Sequence, residues 1–231
     1  FLQKKIMKKL LSIFLVSVLF VGCFENRVLL DELIEKDESM FFESKLFTGI
    51  AFDVYANNQI KEEVNYKDGQ KNGWFKEWYE NGQLKIEGNY KNGYLDQLNK
   101  IYHENGQLKN EYNFKDGLED GLQKEWWSDG QIRYEGNFKN GLRNGLTKEW
   151  SPHGELRLEK NYKNNNHHGL EKKYRNGNLW IERVYNGGSK ETEKWYSEGK
   201  VDKEVRYHLG TGERISEKCW DENGKEIRCE W

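Results

Sequence analysis

Carboxylates are the most numerous side chains that could do chemistry, and four of them recur at one spacing. Glu87, Glu111, Glu135 and Glu159 stand 24 residues apart in similar local sequence. General acid–base catalysis needs two titratable groups in dissimilar environments, which a repeated surface does not provide. The periodic glutamates therefore predict solvated ion pairs rather than a catalytic pair.

Metal-binding and cofactor motifs are missing from the sequence. The five histidines are scattered, at His103, His153, His167, His168 and His208. The neighbouring pair among them would point to opposite faces of an extended strand. The sequence contains no Gly-x-Ser-x-Gly motif, phosphate-binding loop, dinucleotide fingerprint or His-Glu-x-x-His motif. We therefore predict no catalytic residue, no metal site and no cofactor, and a protein that is not an enzyme.

The first cysteine follows a segment typical of export. Lys4, Lys5, Lys8 and Lys9 precede an apolar run from Leu10 to Val21. The stretch Phe20-Val21-Gly22-Cys23 resembles the lipobox of bacterial lipoproteins, with Phe20 in place of the usual Leu. Residues 1–22 are thus predicted to be a signal peptide with Met7 as the true start, and Cys23 to carry a membrane-anchoring lipid. An ordinary signal peptide or an uncleaved anchor is the alternative.

The other two cysteines, Cys219 and Cys229, flank the Asn223-Gly224 dipeptide near the end of the chain. An even number of remaining cysteines in an exported protein suggests a disulfide that pins the last hairpin. A strict two-residue turn would place Cys219 opposite Arg228, so a direct bridge requires a bulge. Free thiols are the alternative.

Composition limits the shape of the protein. Only 35% of the chain is apolar and 33% is charged, yet 14% is aromatic. Disordered chains are poor in aromatic residues, whereas a thin sheet with much wet surface fits this inventory. Without the four leader lysines, 33 basic residues face 39 acidic ones, a net charge near −6. We expect no nucleic-acid partner.

A repeat of about 24 residues dominates the chain after residue 40. Four regular copies cover 65–88, 89–112, 113–136 and 137–160, as in NYKDGQKNGWFKEWYENGQLKIEG for the first. Less regular copies are predicted at 41–64, 161–183, 184–205 and 206–231. The segment 23–40, which contains the lipidated cysteine, is predicted to be a tether or a short helix.

Each copy is predicted to form a β-hairpin. Leu84, Ile86, Gly88 and Tyr90 alternate with polar residues, which is the period of a strand. The dipeptides predicted to form type I′ turns are Asn81-Gly82, Asn105-Gly106, Asp129-Gly130, Asn176-Gly177 and Asn223-Gly224. Further glycines, such as Gly69 and Gly73, mark the bend into the next copy. The predicted fold is all-β, an elongated antiparallel meander of tandem hairpins in an open sheet.

A two-residue turn also predicts the strand register. It pairs lysine with glutamate in four copies, as Lys76–Glu87, Lys100–Glu111, Lys124–Glu135 and Lys148–Glu159. The same register pairs tryptophan with a cation, as Trp78–Lys85, Trp126–Arg133 and Trp150–Arg157. A three-residue loop with a bulge would instead place Trp78 opposite Leu84, and the two-residue turn is preferred.

Aromatic residues near the turns are the candidate partner-binding residues. They are Tyr79, Trp127 and Tyr196 beside the turn, and Trp78, Trp126, Trp150 and Trp195 one residue earlier. A single-layer sheet has too little covering to hide both faces, so some aromatics could form an exposed strip for a protein or glycan partner. Packing between neighbouring hairpins is the alternative.

The repeated motifs Gly-Leu-x-Lys-Glu-Trp, Glu-Asn-Gly-Gln-Leu-Lys and Asn-Tyr-Lys-Asn-Gly resemble the bacterial variant of the MORN repeat over about residues 33–231. The resemblance implies the fold and carries no catalytic residue. Members of this family are often labelled antitoxins of the YwqK type, and others resemble surface lipoproteins. Eukaryotic relatives are linked to lipid binding and scaffolding.

The sequence therefore predicts an exported, lipid-anchored binding or scaffold module at the bacterial cell envelope or surface. Its partner is expected to be another protein, or less favourably a glycan, and its membrane contact to be through the lipid. An antitoxin or immunity-type protein that neutralises one toxin is the second hypothesis. The export signal counts against a cytoplasmic antitoxin.

Overall fold

The computed structural model describes residues 26–229, so the predicted signal peptide and Cys23 lie outside the described part of the chain. All regular elements in that range are β-strands except one 3-10 helix, Leu30–Glu32. None of the helical structure within the described residues is long and apolar enough to cross a lipid bilayer. The prediction of an all-β fold is confirmed.

The chain divides into two compact units, and the first ends at Gly106. Strands β5 to β9 of this unit pair in sequence order as an antiparallel meander, and β1 pairs with β5 in parallel. Strands β2 to β4 form a small separate sheet. The strands are β1 Arg27–Leu29, β2 Ile34–Lys36, β3 Ser39–Phe42, β4 Lys45–Leu46, β5 Gly49–Val54, β6 Ile60–Lys67, β7 Gln70–Trp78, β8 Leu84–Lys91 and β9 Tyr94–Tyr102.

The second unit begins at Gln107 and is one antiparallel meander. Its first strand pairs with both β11 and β12. The strands are β10 Leu108–Lys115, β11 Leu118–Glu119, β12 Gly121–Trp126, β13 Ile132–Lys139, β14 Leu142–Trp150, β15 Leu156–Lys163, β16 Asn166–Arg175, β17 Asn178–Asn186, β18 Ser189–Ser197, β19 Lys200–Tyr207, β20 Arg214–Trp220 and β21 Glu226–Ile227.

The tether predicted for residues 23–40 is wrong for the part that the structure describes. Val28 packs in an apolar cluster that includes Phe47 and Val64, and Leu29 packs with Phe52 on the other face of the sheet. These side chains bury apolar surface on both faces of β5, which stabilises the added parallel strand. The segment is therefore a cap on the first sheet, and its only helical piece is the 3-10 helix.

Two-residue turns occur mostly in the connections between one predicted hairpin and the next, and not within the predicted hairpins. Asp68-Gly69, Asn92-Gly93 and Asn140-Gly141 have positive φ at both residues, as type I′ turns require. Of the five dipeptides predicted to form such turns, only Asn176-Gly177 has this geometry. In Asn81-Gly82, Asn105-Gly106, Asp129-Gly130 and Asn223-Gly224 only the glycine has positive φ, so those four predictions are wrong.

A longer loop explains these four exceptions. At the first of them the Tyr79 N–H donates to the Gln83 carbonyl at 2.8 Å, and the Gly82 N–H donates to the Tyr79 carbonyl at 2.9 Å. The Asn81 side chain accepts from the Gln83 N–H at 2.9 Å, which favours this turn. The result is a three-residue loop with glycine in the left-handed region.

The lysine–glutamate register survives this change because a bulge absorbs the extra residue. Lys76–Glu87, Lys124–Glu135 and Lys148–Glu159 are confirmed as cross-strand partners. The tryptophan–cation pairs are wrong, and the observed pairs are Trp78–Leu84, Trp126–Ile132 and Trp150–Leu156. The cation becomes the bulged residue and pairs with a carboxylate instead, as Lys85 does with Glu77 at 3.1 Å.

A second bulge recurs near the start of β7, β9, β12, β14 and β16. Its residue has positive φ and is glycine at Gly73, Gly121, Gly145 and Gly169, but Gln97 occupies the equivalent position with φ of 64°. The same hydrogen bond recurs at the bulges that contain glycine. An asparagine side chain of the preceding strand donates to the backbone carbonyl of the residue that follows the glycine. Asn137, for example, donates to the Leu146 carbonyl at 3.0 Å.

Candidate functional site

One face of the second unit carries a row of alternating charges, here called the ladder. Each member is the direct cross-strand partner of the next across nine strands. The row comprises Lys124, Glu135, Lys148, Glu159, Lys172, Glu182, Lys194, Glu204 and Lys218. Ion pairs in it include Lys148–Glu159 at 3.0 Å and Lys124–Glu135 at 3.3 Å. The ladder continues through the strands in which the 24-residue sequence repeat is no longer regular. The register of strand pairing is therefore better indicated by the ladder charges than by the repeated sequence motif.

Four exposed leucines lie on the same face as the ladder, and we call them the leucine patch. Leu118, Leu122, Leu142 and Leu146 have exposed fractions of 51%, 38%, 38% and 37%. They form two pairs 24 residues apart in sequence, on β11, β12 and β14. Exposed apolar side chains that recur on one face of a sheet, unlike isolated ones, are typical of an interaction surface.

The opposite face of this unit has an open groove of about 630 Å³. Three carboxylates and three guanidinium groups line it, from Glu119, Glu125, Glu149, Arg133, Arg143 and Arg157. The aromatic residues of its lining are Tyr112, Trp127, Tyr134, Phe138 and Trp150, and Gln123 completes the lining. The groove therefore combines flat hydrophobic surfaces with polar groups of both charge signs.

The hairpin bulge positions the central cluster of the groove. Arg133 is the bulged residue of β13, with no direct partner on β12. The bulge orients its guanidinium toward the groove. It lies 4.9 Å from the centre of the Trp127 ring and 3.3 Å from the Glu125 carboxylate. The Tyr112 hydroxyl also donates to Glu125 at 3.3 Å. Burial, together with the charge of Glu125, raises the pKa of Tyr112 to about 12, so the phenol remains a hydrogen-bond donor at neutral pH.

Three polar atoms at the groove are buried without a hydrogen-bond partner in the described part of the chain. They are Trp127 Nε1, the Tyr134 hydroxyl and Thr147 Oγ1. The Tyr134 hydroxyl lies over Gly136, where an added Cβ would come within 2.1 Å of it, and Gly136 pairs with Thr147. Burial raises the pKa of Tyr134, while contact with the Thr147 hydroxyl acts to lower it.

A buried charge cluster further along the groove face was not predicted from the sequence. Arg183 lies between Glu171 and Glu193 on neighbouring strands, at 2.9 Å and 2.6 Å. The two glutamates are only 3% and 4% exposed. The strands of these three residues carry charged residues at consecutive positions, as in Glu171-Lys172-Lys173 and Glu182-Arg183, so that both faces are charged. This is the one sequence signal that could have identified them. This triad fills the centre of the sheet, where the first unit has Val64 and Phe75.

The predicted partner-binding aromatics do not form one strip. All seven are half-buried; Tyr79 and Trp127 lie just past the ends of β7 and β12, and the other five lie in strands. Trp127 and Trp150 line the groove, whereas the Tyr79 hydroxyl donates to the Tyr102 carbonyl at 2.8 Å within the first unit. Trp195 packs under the Lys203 ammonium at 5.7 Å from its ring centre. Trp78 and Trp126 oppose apolar residues, and Tyr196 contacts ladder residue Glu182.

Cys219 and Cys229 are joined by a disulfide, with Cα atoms 5.3 Å apart. Cys219 pairs with Ile227 across the last hairpin, rather than with Arg228 as a two-residue turn requires. The longer loop shifts the register by one residue and brings Cys229 within reach. Cys23 lies in the part of the chain that the structure does not describe.

The fold defines a class of protein, one built from tandem β-hairpins that present open sheet faces. The family model described as "MORN repeat variant" matches residues 47–68, 71–92, 98–116, 119–140 and 143–164. The chain is thus similar to MORN repeat variants over these five consecutive segments, as the sequence resemblance implied. Four of the five matches begin within two residues of the start of a strand, whereas the four regular predicted copies begin near the end of a strand. No curated protein matches the chain.

Proposed function

We propose that this chain is a non-enzymatic, lipid-anchored module that binds a partner protein at the bacterial cell envelope. The observation that carries this proposal is the leucine patch on the ladder face. The MORN-variant repeats support it, because they supply a repeated surface rather than a single reaction site.

The leucine patch suits a protein partner that has its own apolar stripe. Burial of each exposed leucine contributes about 25 cal/mol per Å² of apolar surface removed from water. Several such contacts in a rigid sheet add without a large ordering cost. Charged ladder side chains beside the patch favour a partner with complementary charges, which fixes the orientation of binding.

The lipid anchor rests on the N-terminal sequence. The basic head, the apolar run and Gly22-Cys23 together are typical of bacterial lipoproteins. An anchor at Cys23 is followed directly by the folded cap of the first unit, whose first strand begins at Arg27. The repeat array would therefore be held close to the membrane surface rather than at the end of a long linker.

The proposal is tested by capture of the partner from living cells. The anchored wild-type chain is compared with Leu122→Ser/Leu146→Ser, and Leu209→Ser/Ile215→Ser is the matched control. The control residues are exposed at 43% and 63%, at least as much as the patch residues, but lie outside the patch. We expect the patch variant to lose the captured protein, and the control to retain it, with unchanged β-sheet circular dichroism for both. Equal capture by all three chains would contradict the proposal.

The same experiment separates the two functional hypotheses from the sequence. A captured toxin that is neutralised equally well without the anchor would make the chain an antitoxin. A captured envelope protein whose location depends on the anchor would make it a scaffold.

A further inference from the structure

Unpartnered donors at the groove in the second unit point to a ligand with acceptors. The Trp127 indole N–H can only donate, and its nitrogen is buried without an acceptor in the described residues. Buried polar groups without partners are rare in folded proteins because each costs desolvation free energy. The Tyr134 hydroxyl, also at the groove, faces the Thr147 hydroxyl, and neither of these buried oxygens has another partner within the described residues.

The charges of the groove argue for a neutral ligand. Its three carboxylates and three guanidinium groups give no net charge. A phosphate or carboxylate ligand would meet the glutamates, and an ammonium ligand would meet the arginines. Like-charge contacts of this kind act against binding of either ion class.

The shapes of the groove residues identify the chemistry of the neutral ligand. Trp127 and Tyr134 offer flat rings against which the C–H face of a sugar can pack. The Glu149 carboxylate is exposed at the groove, and Arg157 presents a planar fork of N–H donors. Planar groups of these two kinds form paired hydrogen bonds with adjacent hydroxyls. The volume, about 630 Å³, is within the usual range of about 300–1,000 Å³ for small-molecule sites.

We propose that this groove binds a short neutral saccharide. The sugar packs on Trp127, accepts hydrogen bonds from the Trp127 N–H and the Tyr134 hydroxyl, and is held by Glu149 and Arg157. The inference goes beyond the proposed function and does not rest on it, because the leucine patch lies on the opposite face of the same strands.

The test measures the binding of three neutral trisaccharides to the full chain. The first is built from N-acetylglucosamine, the second from β-1,4-linked glucose and the third from α-1,4-linked glucose. Titration followed by tryptophan fluorescence and by ligand-observed NMR should show saturable binding of at least one. The glucosamine trisaccharide, which carries ammonium groups in place of the N-acetyl groups of the first probe, is expected to bind at least about tenfold more weakly than the best neutral probe.

Variants assign the binding to the groove. Trp127→Ala should weaken binding by about tenfold or more, and Tyr134→Phe, which removes only one hydroxyl, by about fivefold. Trp180→Ala is the matched control, because Trp180 also stacks on an arginine, Arg175 at 3.9 Å, outside this groove. It should change binding by less than about twofold.

Three results would overturn the proposal. They are the absence of saturable binding of all three neutral probes at millimolar concentration, tighter binding of the charged probe, and unchanged affinity in Tyr134→Phe. The last variant keeps the ring and the fold, so a misfolded Trp127→Ala chain leaves the test decisive. Loss of partner-protein capture in the leucine patch variant with intact saccharide binding separates the two proposals.

Discussion

Replacement of Arg183 by methionine tests whether the buried triad stabilises the second unit. Methionine keeps an unbranched chain of similar reach but removes the charge and every hydrogen bond. The Glu171 and Glu193 carboxylates, 3% and 4% exposed, would then remain buried without their shared cation. Removal of one partner from a buried ion pair costs about 3–5 kcal/mol of the free energy of unfolding.

Other contacts place the expected cost near the lower end of that range. Glu193 retains Lys190 at 2.7 Å and the Tyr207 hydroxyl at 3.0 Å. Glu171 retains only two ammonium groups, each at 3.8 Å. We therefore expect Arg183→Met to lose about 3 kcal/mol, which lowers the Tm by roughly 6–12 °C for a chain of this size.

Urea unfolding followed by tryptophan fluorescence and by circular dichroism measures this loss. Two probes are required because repeat arrays can unfold in more than one step. Lys148→Met is the matched control, since it breaks the ladder pair with Glu159, whose side chains are 33% and 21% exposed. Exposed pairs of this kind contribute about 1 kcal/mol or less.

The pH dependence gives a second measurement on the same variant. Burial acts to raise the pKa of Glu193, but hydrogen bonds from Lys190, Arg183 and Tyr207 outweigh it and lower the pKa below its ordinary value of 4.5. A carboxyl with a lowered folded-state pKa contributes stability above its unfolded pKa, and that stability is lost as the pH falls through the folded value. The wild type should therefore approach the variant below about pH 4.5. A loss under about 1 kcal/mol, or a difference constant down to acid pH, would refute the reasoning.

Two further changes test local features of the hairpins. Gln97→Gly should stabilise the chain by about 0.5–1 kcal/mol, because glycine adopts positive φ without steric cost. The reverse change at an equivalent position, Gly145→Gln, should destabilise the chain by about 1–3 kcal/mol. Equal Tm values of the variants and the wild type in thermal unfolding would contradict the assigned strain. Reduction of the Cys219–Cys229 disulfide should accelerate hydrogen exchange in the last hairpin and leave β12 to β15 protected, because the closed loop constrains only the end of the sheet. Acceleration throughout the second unit would show instead that the bridge supports the whole sheet.

The period, the strands and the lysine–glutamate register were predictable, because each follows from alternation that repeats along the chain. The turn types were not. Asn81-Gly82 and Asn92-Gly93 are the same dipeptide, yet only the second forms a two-residue turn. The difference comes from the Asn81 side chain, which closes a longer loop, and from a bulge whose cost is offset by the Lys85–Glu77 ion pair.

The candidate site was only partly predictable. Tryptophan and tyrosine beside the turns were identified, but their division between two faces depends on the bulge and not on alternation. The leucine patch was missed because single leucines in amphipathic strands are expected to face a core. The sequence signal for the patch was the 24-residue spacing of these leucines, at strand positions on the same sheet face as the ladder.

The alternating ladder also restricts how such a chain can change in length. Lysine and glutamate succeed one another from strand to strand, so loss or duplication of one strand would place two like charges opposite each other. Gain or loss of two strands keeps every contact attractive. An array that gains or loses a whole hairpin therefore keeps its alternating charge pairs, whereas a change by one strand would add a repulsive contact.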